Sequence, residues 1–161
     1  MQKPIIKGRK PGDNITLINT MYLKKKDPSN NKWKDCMTIV YKDNDTGTKY
    51  KEEIMSPTYE YYIIKEDKRT DYSKAFTSKE DVEVREVPNS NLLKDMCEQS
   101  GKLDFFYQNL RSGNPGANRT IHLDPMFMNS DMDIEDNYRF RFDKMYKNEP
   151  CNITKSYFDI E

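Results

Sequence analysis

Asp159 and Glu161 are the residues whose types and spacing could do metal chemistry. They stand two positions apart, and residues with that spacing in an extended strand point to the same face. Two carboxylates presented by a rigid strand begin a site for divalent ions, which activate water and stabilise the leaving group of a phosphodiester. A complete site needs further ligands, and the spacing alone also fits a solvated acidic tail.

Basic and aromatic side chains elsewhere could contact nucleic acid. The candidates for phosphate contact are four residues of one basic stretch and two that flank a glycine-proline loop: Arg139, Arg141, Lys144 and Lys147, and Arg111 and Arg119. These residues also fit a solvated helix face with acid-base pairs, such as Asp143 with Lys147. Tyr59 and Tyr61 could stack on the bases of a single strand, although such clusters also form cores when aliphatic residues are few.

Two further groups are predicted to be structural. Acidic residues cluster where a helix is expected to start, and acid is favourable in a first turn. They are Asp131, Asp133, Glu135 and Asp136. His122, the only histidine, has no neighbouring Cys or His in the sequence with which to bind a metal.

The charge balance limits how the chain could bind a polyanion. The 27 basic and 27 acidic side chains give a formal net charge of zero, so any contact with nucleic acid has to be local. Three scattered cysteines fit a reducing compartment better than a disulfide framework. The start of the chain has only Ile5 and Ile6 as an apolar run, which predicts neither a signal peptide nor a membrane span. We expect a cytoplasmic protein, in the host cell if it is viral, with no membrane partner.

Runs of apolar, aromatic and β-branched residues separated by turn residues predict an antiparallel sheet in the first half of the chain. Strands are expected at residues 15–23, 33–41, 59–64 and 82–87. The turn residues at 43–47 predict a hairpin that closes the second strand onto a third. Within the second strand, one face is expected to be buried, and that face carries Trp33, Met37, Ile39 and Tyr41.

In the second half of the chain, apolar residues recur at helical spacing. One helix is expected between a cap at Ser90 or Asn91 and a stop at Gly101, and a second at residues 103–110. A third is expected at residues 130–147, with one apolar stripe made of Ile134, Tyr138, Phe142 and Met145. The predicted fold class is α+β, an antiparallel, partly barrel-like sheet with about three helices packed on it.

Three stretches of the sequence resemble phage-type family B DNA polymerases. YFDIE at residues 157–161 resembles the family's first exonuclease motif, in which a strand presents Asp-x-Glu to metal ions. HLDPMFMNSDMDIEDNYRFRFDKMY at residues 122–146 is similar to the segment that leads into that motif. IMSPTYEYYI at residues 54–63 is similar to a strand of the family's amino-terminal domain. The order and spacing of the three stretches agree with the family's layout.

The resemblance implies both a parent activity and a division of the chain. Asp159 and Glu161 would be the first metal-binding carboxylates of a 3′–5′ proofreading exonuclease, using Mg or Mn in the full-length polymerase. Residues 1–152 would form the amino-terminal domain, and residues 153–161 the first strand of a truncated exonuclease domain. The expected partners are template-primer DNA and the remainder of the polymerase. Because the family's other acidic residues belong to later motifs, we expect this chain alone to be inactive and to hold no cofactor.

Two other functions fit the residues without the resemblance. The chain could be a stand-alone protein that binds single-stranded nucleic acid, or a structural phage protein with no nucleic-acid role. Binding that weakens with salt would separate the structural protein from the others, because phosphate contacts release counterions. Whether the reading frame continues would separate a polymerase module from a stand-alone binding protein.

Overall fold

Residues 3–65 and 82–148 are described by a computed structural model of the chain. Their contacts divide the chain into two units. Unit 1 combines Met1–Pro57 with Ile134–Glu161, and unit 2 is Thr58–Asp133. Residues 153–161 lie outside the described residues, so the predicted exonuclease strand stays a prediction.

Unit 1 contains an antiparallel sheet of three consecutive strands. They are β1 (Ile15–Lys26), β2 (Trp33–Asp43) and β3 (Lys49–Met55), in the order β1-β2-β3. The hairpin between β2 and β3 is confirmed, with Asp43 accepting the backbone N–H groups of Asp45 and Thr46 and with Gly47 at φ 76°. Glycine adopts this left-handed conformation without the steric cost of a Cβ.

The core of unit 1 lies where the sheet and a helix bury their apolar faces. Met37 and Ile39 of β2 are fully buried, and helix α3 (Ile134–Met145) contacts β1. The apolar stripe predicted for this helix is confirmed, since all four of its members are buried: Ile134, Tyr138, Phe142 and Met145. The amphipathic spacing therefore identified the face that packs inward.

Unit 2 has its own sheet, in the order β5-β4-β6. The strands are β4 (Thr58–Ile64), β5 (Val82–Pro88) and the two-residue β6 (Phe127–Met128). Helices α1 (Leu92–Gln99) and α2 (Leu103–Arg111) follow β5 in the chain. A 3-10 helix, Pro115–Leu123, comes between α2 and β6. The first two predicted helices are confirmed.

The α+β class is confirmed, while several details differ from the sequence predictions. The strands form two three-stranded antiparallel sheets, and neither is a closed barrel. The third helix begins at Ile134 rather than at residue 130, because Ser130 is buried and its hydroxyl contacts the His122 ring instead of capping a helix. The prediction of one buried face on β2 is wrong, because Cys36 through Ile39 are all buried while Trp33 is 67% exposed.

Candidate nucleic-acid interface

The solvent-facing side of α3 carries two cations beside an exposed aromatic ring. Arg139 and Lys144 are exposed, and Phe140 between them keeps 37% of its surface accessible. The Lys144 ammonium nitrogen lies 4.8 Å from the centroid of the Phe140 ring, within the range of a cation–π contact. Lys147, just beyond the end of the helix, is exposed as well. We name Arg139, Phe140, Lys144 and Lys147 the α3 patch.

One hydrogen bond orients the arginine of the α3 patch. Its Nε donates to the hydroxyl oxygen of Thr20 on β1 at 3.1 Å. A guanidinium carries five N–H donors, so this bond fixes the side chain while the two terminal amino groups keep their donors. An arginine held in this way loses little conformational freedom when it binds a phosphate.

The α3 patch also has acidic neighbours, which reduce its net positive charge. Asp136 and Asp143 are exposed on the same helix. Asp143 accepts a short hydrogen bond from the side-chain amide of Asn148. The pairing of Asp143 with Lys147 that the sequence suggested is not among the ion pairs of the described residues, so Asp143 is engaged elsewhere.

Three of the predicted phosphate-binding cations are not part of the α3 patch, and one of them, Arg111, is exposed at the end of α2. Arg141 is only 7% exposed, and its guanidinium carbon lies 4.5 Å from the centroid of the Tyr138 ring. A buried arginine stacked on a ring cannot reach a phosphate, so its predicted role in nucleic-acid contact is wrong in this arrangement. Arg119 is exposed in the 3-10 helix of unit 2. Its contact with phosphate, like that of Arg111, stays a prediction.

The predicted stacking tyrosines are core residues of unit 2. Tyr59 is 1% exposed and donates its hydroxyl to the carbonyl oxygens of Asn129 and Met132. Tyr61 is fully buried, and its hydroxyl donates to the Asp95 carboxylate. Neither ring offers a face to a base, so the stacking prediction is wrong for both. The alternative prediction, that these tyrosines belong to the core, is confirmed.

A second exposed group of cations and an aromatic ring was not predicted from the sequence. It lies at the end of the β1–β2 hairpin and consists of Lys24, Lys26, Lys32 and Trp33, all of them exposed. We name this group the hairpin tip. The run of lysines was visible in the sequence, but strand alternation had assigned Trp33 to the buried face.

His122 and Ser130 form a pair whose residue types can perform nucleophilic catalysis. The His122 Nδ1 and the Ser130 hydroxyl oxygen are 3.1 Å apart. Burial lowers the pKa of His122, and the charge of Arg119 adds to this effect while Asp131 opposes it. Because Ser130 is only 4% exposed, its hydroxyl cannot reach a substrate, and the pair is structural.

The described residues provide no group of three or more His, Cys, Asp or Glu side chains that could hold a metal ion. Asp159 and Glu161 lie outside the described residues, so their assignment as metal ligands stays a prediction. In the part of the chain that is described, no helix has the length and apolar character needed to cross a membrane.

In comparisons with known proteins, no protein-family model, curated protein or solved structure matches this chain.

Proposed function

We propose that this chain is the amino-terminal module of a phage-type family B DNA polymerase, where it contacts template DNA and supports the proofreading exonuclease. The observation that carries the proposal is the α3 patch. Three of its four residues lie within residues 122–146, the longest of the stretches that resemble the family. Within this stretch the apolar stripe faces the core, while Arg139, Phe140 and Lys144 face solvent.

The α3 patch has the physical character of a local phosphate contact. Cations that replace condensed counterions on DNA gain free energy from the release of those ions. An exposed aromatic ring beside them adds a surface on which an unstacked base can lie. Because its net charge is zero, the protein has no overall field that attracts DNA. It can therefore contact DNA only through a local group of cations such as this patch.

The remaining parts of the proposal follow from the resemblance. The parent protein would be a DNA-directed DNA polymerase with template-primer DNA as its substrate, acting in the cytoplasm of the host cell. Asp159 and Glu161 would hold Mg or Mn together with carboxylates from the remainder of the polymerase. The metal would supply activated water and charge stabilisation for hydrolysis of mismatched primer ends.

Removing the α3 patch cations tests the DNA contact. We expect Arg139→Gln with Lys144→Gln to weaken binding to a fluorescently labelled oligo(dT), measured by anisotropy between about 50 and 200 mM salt. If each cation contacts one phosphate of a single strand, the slope of log K against log salt should become smaller by about 1.4. The control is Lys94→Gln with Lys102→Gln, which removes two exposed lysines, one in α1 and one just before α2. Equal losses in the two double variants would contradict a role for the α3 patch.

The polymerase assignment has a separate test. The source DNA should be sequenced beyond codon 161 and translated in every frame. We expect exonuclease and palm motifs to follow, directly or after an intervening element. A stop codon followed by an unrelated gene would contradict the polymerase assignment and leave the stand-alone binding protein or the structural phage protein as the function.

A further inference from the structure

The hairpin tip combines an exposed tryptophan with three exposed lysines that are its neighbours in register or in sequence. Trp33 is 67% exposed, although large aromatic side chains are usually buried to a high degree. Lys26 lies directly opposite Trp33 in the β1–β2 register, and Lys24 lies two residues further along the same face. Lys32 immediately precedes Trp33. The four side chains therefore occupy one end of the sheet of unit 1.

The turn that carries the tip is fixed by its own hydrogen bonds. The Asp27 N–H donates to the Lys32 carbonyl oxygen at 2.7 Å, and the Asn31 N–H donates to the Asp27 carbonyl oxygen at 2.8 Å. Asn31 has a φ of 62°, a left-handed conformation that asparagine tolerates well. The Asp27 carboxylate also accepts the backbone N–H and the hydroxyl of Ser29. An ordered turn holds Lys32 and Trp33 in place at little entropic cost when a ligand binds.

The carboxylates near the tip are engaged by other side chains. Lys34 lies 2.9 Å from Asp27, and this bond, with those from Ser29, lowers the pKa of Asp27 to about 2. Lys25 pairs with Glu53 at 2.6 Å. Asp35, which faces Lys24 in the register, accepts a hydrogen bond from the Tyr22 hydroxyl at 3.0 Å.

The lysines of the tip are therefore left without acidic partners. No ion pair among the described residues includes Lys24, Lys26 or Lys32. Their positive charge is available to an anionic ligand, while Lys25 and Lys34 already have partners.

Single-stranded DNA is the ligand that fits both features of the tip. An indole stacks on the face of a base, and base faces are accessible only where the strand is unpaired. The three lysines that neighbour the tryptophan can contact the phosphates on either side of such a base. An apolar partner surface would cover the indole but would leave these ammonium groups in a poor environment.

We propose that the hairpin tip is a binding site for single-stranded DNA, in which Trp33 stacks on a base and Lys24, Lys26 and Lys32 contact the flanking phosphates. The site deepens the proposed function, since it rests on this chain meeting unpaired template. It is carried by different residues from those of the α3 patch, so the two contacts can be tested separately.

Trp33 is the only tryptophan of the chain, so its fluorescence reports on the hairpin tip alone. We expect oligo(dT) to quench this emission, and a duplex of the same length to quench it much less. Anisotropy of labelled oligo(dT) should show binding roughly tenfold weaker in Trp33→Ala, with part of the affinity restored in Trp33→Phe. Replacing Lys24, Lys26 and Lys32 with Gln should reduce the salt slope by about 2, because three cations would leave the phosphates.

The control for the charge variant replaces Lys7, Lys10 and Lys94 with Gln, three exposed lysines elsewhere in the chain. Thermal melts check that each variant is folded.

If the chain binds oligo(dT) while Trp33 emission stays constant and the tip variants bind normally, this inference is overturned and the α3 patch proposal stands. If oligo(dT) quenches Trp33 emission and the α3 double variant binds oligo(dT) normally, the hairpin-tip site is supported and the α3 patch is not a DNA contact. No binding at the lowest salt concentration, about 50 mM, overturns both.

Discussion

Asp95 joins two side chains of β4 and β5 to helix α1. Its carboxylate accepts two hydrogen bonds from the Arg85 guanidinium, at 2.9 and 2.8 Å, and a third from the Tyr61 hydroxyl. Burial alone would raise the pKa of Asp95, but the hydrogen bonds from Arg85 and Tyr61 outweigh it and lower the pKa below its ordinary value. Burial, with the bond to Asp95, raises the pKa of Tyr61. The ionised carboxylate is therefore part of the folded state.

We expect Asp95→Asn to destabilise the protein at pH 7 by about 2 kcal/mol, because a neutral amide cannot replace the charge-assisted bonds from Arg85 and Tyr61. The lowered folded-state pKa means that this stabilisation is fully present above the unfolded value of 3.8 and is lost as the pH falls through the folded value. The difference between wild type and Asp95→Asn in urea unfolding should therefore shrink below about pH 4. Glu98→Gln, an exposed position on the same helix, is the control and should change little. A difference that stays constant down to about pH 2 would contradict this account.

At the scale of elements, α1 ends in a motif that depends on one glycine. The Lys102 N–H donates to the Cys97 carbonyl oxygen at 2.7 Å, and the Gly101 N–H donates to the Glu98 carbonyl oxygen at 3.1 Å. These are the two bonds of a Schellman motif, which satisfies carbonyl groups at a helix end. Gly101 has a φ of 76°, and no heavy atom lies within 4 Å of a Cβ added there. The requirement for glycine comes from the backbone conformation rather than from space.

We expect Gly101→Ala to lower the free energy of unfolding by about 1 kcal/mol, because a Cβ is disfavoured at positive φ. Gly116 is a matched control, since a methyl group added there also meets open space, but its φ is not positive. Gly116→Ala should be neutral or stabilising by up to about 1 kcal/mol. Chemical denaturation of the two variants measures the difference, and equal effects would show that the α1 end does not need glycine.

The elements most accessible to sequence reasoning were those with a regular apolar period. Alternation predicted β2 and β3, runs of strand-forming residues between turns predicted β1, β4 and β5, and a four-residue stripe predicted the buried face of α3. The strand β6 has only two residues and forms by backbone pairing with Tyr62 and Ile63, which leaves no period in the sequence. The 3-10 helix at Pro115–Leu123 was not predicted, because glycine and proline at the start of this segment are typical of turns.

The same physics explains which site residues were predictable. Arg141 was predicted to contact phosphate, yet it lies three residues after Tyr138 and four before Met145, and this helical spacing puts it on the buried stripe. The register does put Trp33 on the face of Met37, opposite Lys26, but its position at the end of the strand leaves it uncovered. Burial at a strand end depends on what packs there, and alternation carries no information about it.

At the scale of the whole molecule, unit 1 brings together segments from both ends of the described chain. The Gly12 N–H donates to the Met145 carbonyl oxygen at 2.7 Å, and the Lys147 N–H donates to the Asp13 carbonyl oxygen at 3.1 Å. The Leu17 N–H donates to the Asn148 side-chain oxygen at 2.7 Å. Unit 2 lies between these segments in the sequence, so they close a long loop at a cost in chain entropy. The hydrogen bonds and buried side chains of this closure have to offset that cost.

Tyr146 provides the most testable part of this closure. Its hydroxyl accepts the Ile6 N–H at 3.3 Å and donates to the Arg9 carbonyl oxygen at 3.1 Å, and the side chain is 5% exposed. Tyr146→Phe leaves the buried Ile6 N–H and the part-buried Arg9 carbonyl oxygen without this partner, so we expect it to lower the free energy of unfolding by about 2 kcal/mol. Tyr107→Phe is the control, because no described residue bonds the Tyr107 hydroxyl, and it should change stability by less than about 0.5 kcal/mol. Hydrogen exchange should speed up in β1 and in α3 together, whereas faster exchange confined to one of them would show that the two ends do not stabilise each other.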